Sequence, residues 1–253
     1  MEITNIPKGW GFYFMLDNQP DSNDDSAHSL ITRAKYIPSE LLPVRKTPTG
    51  RAALVVSVLL HPLLLPTYLF LLLFWMSPSM MGVSNDDIRY RILLLLIVCT
   101  LLIPLLSTYM LYRLGSVKSL HMEDRQDRIF PFVSTTLFYM LTTYLFVKQL
   151  SALYLITLIL GGTTFCLLVM TVISFFWKIS VHSTSIAGIV GFLIGLYYHY
   201  AAVEYFYPLL LVIILAGVLM SARLYLNAHT PAQVLAGAAI GLSIGLGTIL
   251  MMG

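Results

Sequence analysis

The sequence predicts an all-α integral membrane protein of about seven transmembrane helices, and three observations carry that prediction. Of 253 residues, 58% are hydrophobic and only 11% are charged, where a soluble domain would carry about 25% charged residues. The mean hydropathy is +0.82. Apolar stretches long enough to cross a hydrocarbon layer, roughly 20 residues each, recur from residue 52 to the end of the chain. Fifteen Lys and Arg against twelve Asp and Glu leave a formal charge of +3, too balanced to point to a nucleic-acid partner. Cys99 and Cys166 both lie inside apolar runs, with no CxxC and no zinc spacing, so neither a disulfide framework nor a metal centre is expected.

Taken in order, residues 1–51 form a polar tail, partly disordered by composition. Asp17, Asp21, Asp24 and Asp25 precede a basic run with Arg45, Lys46 and Arg51. The first apolar stretch is too late and too long for a signal peptide. The predicted spans are 52–76, 92–112, 129–149, 151–177, 184–203, 205–222 and 233–252. In the first of them, His61-Pro62 and Pro66 kink or polarise the helix, and an intramembrane histidine is a functional candidate by default. Gly188, Gly191 and Gly195 in the 184–203 span, and Gly237, Gly241 and Gly245 in the 233–252 span, recur every three or four residues. That spacing predicts close helix packing. The chain thus divides into the tail, an additional first span with its loop (52–91) and a six-helix core (92–253).

Seven spans place the tail and the loops after the second, fourth and sixth helices on one face. That face carries twelve Lys and Arg; the other has Arg89, Arg91 and Lys148. By the positive-inside rule the first face is cytoplasmic.

Outside the tail, polar residues gather in three clusters, all on that face: 118–131 (KSLHMEDRQDRIFP), 178–185 (KISVHSTS) and 221–233 (SARLYLNAHTPAQ). In the third, Thr230, Pro231 and Gln233 have the form of an N-cap, a first-turn proline and a capping-box partner, so the last helix starts here. His229 stands just before that helix start, where unpaired N–H groups and the positive end of the dipole favour an anion. Arg223 reads either as a snorkelling anchor or as a phosphate ligand. In the second cluster, His182 precedes Ser183, Thr184 and Ser185, any of which can cap a helix, and Lys178 lies four residues earlier. In the first, Arg125 and Arg128 share a helix face, interleaved with Glu123, Asp124 and Asp127. Two histidines among basic side chains suit phosphoester chemistry without a metal, one imidazole attacking phosphorus and the other protonating the leaving alcohol.

These clusters resemble the signature of the type 2 phosphatidic acid phosphatase (PAP2) superfamily, whose pattern is K-x6-R-P, then P-S-G-H, then S-R-x5-H-x3-D. Here Lys118 and Arg125 keep the first spacing, with Pro131 three residues after Arg128; Ser180-Val181-His182-Ser183 stands for the second; Arg223, His229 and Gln233 stand for the third. The resemblance covers residues 111–253. It implies a PAP2-like core acting on lipid phosphates or pyrophosphates at the bilayer, with no cofactor. His229 would be the nucleophile, His182 the general acid, and Lys118, Arg125 or Arg128, Ser180 and Arg223 the phosphate cradle. Gln233 replaces the family's aspartate, which orients and charges up the nucleophilic imidazole. A glutamine can orient the ring but cannot offset an imidazolium, so a catalytically silent protein that binds phosphorylated lipids is the alternative. A capping-box role accounts for Gln233 equally well. Asp124 and Asp127 faintly resemble the aspartate motif of magnesium-dependent prenyltransferases, but no second aspartate-rich loop accompanies them. Family habit in bacterial inner membranes puts the site on the outer side, whereas the charge count puts this one in the cytoplasm.

Overall fold

The computed structural model describes residues 47–117, 125–150, 152–201 and 203–251, the Arg125 side chain excepted. The described residues form nine α-helices: α1 (Pro48–Leu59), α2 (Leu65–Met76), α3 (Asp86–Ile97), α4 (Ile103–Arg113), α5 (Arg125–Gln149), α6 (Tyr154–Ser174), α7 (Val181–Tyr200), α8 (Phe206–Tyr225) and α9 (Pro231–Leu250). A π-helical turn, Val98–Leu102, joins α3 to α4, and a 3₁₀ turn, Val203–Tyr205, leads into α8. Among the described residues six helical stretches are long and apolar enough to cross a membrane, the first of them running unbroken through α3, the π turn and α4.

The predicted first span is corrected. Residues 52–76 are not one helix; they are α1 and α2, broken at residues 60–64. Pro62 has no N–H to donate and disfavours helical backbone at His61, so the chain leaves the helix there. Pro66 then sits in the first turn of α2, where its missing donor costs nothing. Backbone groups freed within a bilayer need partners, and the sequence provides them locally. The Tyr68 hydroxyl donates to the Leu59 carbonyl at 3.1 Å, and His61 Nδ1 accepts the Leu63 N–H at 3.3 Å. At one end Ala53 packs with Ala222 and Leu226 beside the end of α8; at the other the Ser77 hydroxyl donates to Glu204, in the 3₁₀ turn before α8, 3.3 Å away. The broken stretch therefore still links the two faces of the bundle.

Another proline, Pro104, is handled by a distant residue. Pro104 cannot donate to the Thr100 carbonyl four residues back, and the ladder widens there into the π turn. The Tyr139 hydroxyl of α5, fully buried, donates to that carbonyl at 3.0 Å.

The pair α7 and α9 forms the most extensive helix contact. A Cβ on Gly191 would lie 2.5 Å from the Leu242 carbonyl oxygen, and one on Gly237 2.7 Å from that of Ser180. Only glycine permits these backbones so close, as the spacing predicted. Beside them, α2, α6 and α8 contribute the main apolar core, around Leu73, Ile156, Leu160, Leu193 and Leu219.

Candidate functional site

The candidate site is assembled by three helix ends on one face. α8 ends at Tyr225, with Leu226 as its cap and Asn227 in the left-handed region at φ 50°. The Asn227 N–H bonds to the Leu224 carbonyl at 2.9 Å and the Ala228 N–H to the Arg223 carbonyl at 3.1 Å. This pair of bonds is a Schellman motif, and asparagine is among the few residues at ease in its left-handed position. The motif folds the chain back on the last turn of α8, which is why five residues separate Arg223 from His229. Thr230 then caps α9: its hydroxyl accepts the Gln233 N–H at 3.4 Å, while Gln233 Oε1 accepts the Thr230 N–H at 3.2 Å. The capping box is formed where the sequence placed it.

The same Gln233 oxygen lies 3.1 Å from His229 Nδ1. One oxygen thus closes the capping box and lies within hydrogen-bonding distance of His229. A backbone N–H must face an oxygen, so the Thr230 contact fixes which end of the amide is Oε1. An oxygen can only accept, so Nδ1 of His229 carries the proton and Nε2 keeps its lone pair. His229 is 7% exposed. Burial, then the charges of Arg128 and Arg223, and further off that of Lys178, push its pKa down to about 3, against a smaller opposing effect of the Gln233 hydrogen bond. The imidazole is neutral at pH 7.

α7 begins three residues earlier than expected. Its N-cap is Ser180, whose hydroxyl accepts the Ser183 N–H at 3.4 Å and pairs with the Ser183 hydroxyl at 2.9 Å. His182 is therefore the second residue of the helix, not a residue before it. The Ser180 N–H donates to the Gln233 carbonyl at 3.3 Å. One backbone bond thus ties the start of α7 to the start of α9, and His182 to the same end of the bundle as His229. His182 Nε2 lies 3.1 Å from the carbonyl of Ser57 in α1. A carbonyl can only accept, so this nitrogen carries a proton.

A cavity of about 330 Å³ opens among these groups. Arg128, His182, Arg223 and His229 line its polar end, and Leu69, Phe132, Tyr139, Leu167, Phe192 and Ile244 line the part running into the bundle. Of the expected cradle, Arg128 and Arg223 reach this cavity. Ser180 is fully buried behind it, its hydroxyl engaged by Ser183. Lys118 and the Arg125 side chain lie outside the described residues. Two contributors were not assigned from sequence: the Ser57 carbonyl, which carries no side-chain signal, and His61, whose HPLLLP context was the available clue. The His61 ring lies edge to face with that of His182, centroids 5.6 Å apart.

Residues 170–253 match the family model of the PAP2 superfamily, a stretch that contains His182, Arg223, His229 and Gln233. No curated protein and no solved structure matches the chain.

Proposed function

We propose that this protein belongs to the PAP2 superfamily and is a membrane phosphatase or phosphotransferase of lipid phosphates or pyrophosphates, working through a phosphohistidine at His229 without a metal. The observation that carries the reading is the Gln233 oxygen shared between Thr230 and His229. It leaves the Nε2 lone pair of a neutral, buried imidazole among cationic side chains, the state a nucleophile toward phosphorus requires.

In the first step Nε2 attacks phosphorus, the N–P bond forms and the P–O bond to the lipid breaks. With the phosphate dianion of the substrate bound beside it to offset the charge, His182 carries a proton on both nitrogens; it gives the Nδ1 proton to the departing alkoxide while its Nε2–H stays on the Ser57 carbonyl. Arg128 and Arg223 offset the charge on the phosphoryl oxygens. In the second step water attacks phosphorus, the P–O bond forms and the N–P bond breaks, returning the lone pair to His229 Nε2, while His182, now neutral, accepts the water proton at Nδ1 and inorganic phosphate leaves. An alcohol in place of water makes the reaction a transfer. The apolar depth of the cavity supports a substrate whose phosphate is attached to a hydrocarbon. Lys118 and Arg125 join the phosphate ligands on the strength of the resemblance alone, and the basic bias of the site's face supports a cytoplasmic site.

The alternative, a silent binder of phosphorylated lipids, is favoured by one specific observation. Gln233 holds the ring but cannot stabilise the imidazolium that forms when Nε2 is phosphorylated. Phosphate release from phosphatidic acid by the purified protein, with EDTA present and His229→Ala as control, separates the two. Release that survives EDTA and disappears in the variant supports the enzyme; binding without release supports the silent reading.

A further inference from the structure

The break between α1 and α2 does more than bend the chain. It brings the Ser57 carbonyl to His182 and places His61 on the wall of the cavity that His182, Arg223 and His229 also line. His61 Nδ1 accepts the Leu63 N–H, so in the neutral ring the proton sits on Nε2, on the far side of the ring from that backbone contact. The ring stands 5.6 Å from that of His182 at an interplanar angle of 84°, and the Arg223 guanidinium is within electrostatic reach of it. Among the described residues no group of three His, Cys, Asp or Glu side chains is arranged to hold a metal ion. The Nε2–H of His61, on the wall of a cavity that two guanidiniums also line, matches an anion.

We propose that His61 is a phosphate ligand of this site, donating its Nε2–H to an oxyanion bound among His182, Arg223 and His229. The proposal rests on the reading of this cavity as a phosphate site. It makes the broken first stretch a working part of that site, so that the cavity is built from more of the chain than residues 170–253.

The test is binding of orthovanadate, a phosphate mimic, and of dihexanoyl phosphatidic acid to the purified full-length protein, followed by the ligand-induced rise in its melting temperature. His61→Ala is expected to weaken both by about tenfold, the loss of one hydrogen bond to a charged group. His61→Gln, which retains an N–H donor, is expected to recover most of that loss, and His61→Phe, which retains only a ring against His182, to recover none. Equal recovery by Phe would make His61 a packing residue and overturn the proposal, as would wild-type affinity in His61→Ala. If binding instead depends on Arg223 and His229 but not on His61, the phosphate site stands and only this inference fails. Indifference of binding to all three residues removes both. Weakening confined to the lipid, with orthovanadate unaffected, would place His61 against the hydrocarbon or glycerol and also overturn the proposal.

Discussion

Replacing Gln233 separates its two functions and tests the state assigned to His229. In Gln233→Leu the oxygen that accepts from both Thr230 and His229 is lost. A lost cap bond costs about 1 kcal/mol, and an unpaired buried Nδ1–H adds about 1 kcal/mol more, so a modest fall in melting temperature is expected. The effect on chemistry is larger. Without the acceptor the imidazole is free to move its proton to Nε2, and the lone pair that attacks phosphorus is withdrawn. In serine proteases a wrong tautomer of this kind costs about 10⁴ in turnover. A drop of about 10² to 10⁴ in phosphate release is expected here, together with a mixed tautomer in ¹⁵N spectra of histidine-labelled protein. Gln233→Glu keeps both acceptors and adds a charge. At about 4 Å and an effective dielectric of about 20, a carboxylate stabilises an imidazolium by about 4 kcal/mol, which sets a ceiling of about 10³ on the gain; Arg128, Arg223 and Lys178 compete for the same carboxylate and lower it. Unchanged phosphate release and an unchanged Nδ1–H tautomer in Gln233→Leu would refute the reasoning.

Arg223→Lys, which keeps the charge but loses the planar fork, is expected to lower kcat/KM for phosphatidic acid by about 10- to 100-fold, read by the same phosphate-release assay. Gly191→Ala is expected to destabilise by about 1–3 kcal/mol, because its methyl group would press on the Leu242 carbonyl; a higher melting temperature, the usual helix-propensity result, would show that α7 and α9 are less tightly packed. His229 stays neutral in the folded protein from pH 7 down to about 3, whereas in the unfolded chain it takes up a proton near 6.5. The unfolded state thus binds more protons over that window, so stability falls as pH drops from about 6.5 toward 3. Melting curves of wild type and His229→Gln should diverge over this range, with the wild type steeper. For orientation, Ser116→Cys in protein without Cys99 and Cys166 should resist an impermeant maleimide in intact cells, and labelling without permeabilisation would reverse the cytoplasmic assignment.

What could be read from the sequence was whatever local rules decide. The start of α9 follows from Thr230, Pro231 and Gln233 within four residues, and the α7–α9 contact from glycine spacing alone. For α7 the sequence offers Ser183, Thr184 and Ser185 as caps, whereas the fold uses Ser180, three residues upstream of the first of them. The bond from Ser180 N–H to the Gln233 carbonyl, 53 positions away, accompanies the cap that the fold adopts. In the first stretch, Pro62 and Pro66 announced a disturbance but not its extent. A break within a bilayer depends on partners such as the Tyr68 hydroxyl, and no periodicity reports those. The meeting of His61 with His182 joins residues 121 positions apart in an unpatterned apolar run, so nothing short of the fold could reveal it. At Gln233 the sequence posed a cap and a partner for His229 as alternatives, and one oxygen with two lone pairs makes both contacts.

In the proposed reaction His229 becomes covalently phosphorylated. The most direct test of this step is to mix the protein with phosphatidic acid carrying radiolabelled phosphate in EDTA, quench within the first turnover, and locate the label by peptide mass spectrometry. An acid-labile, alkali-stable phosphate is expected on His229 and is expected to be absent in His229→Ala. Phosphate release that proceeds with no label on His229, or with the label on His182, would contradict the proposed reaction.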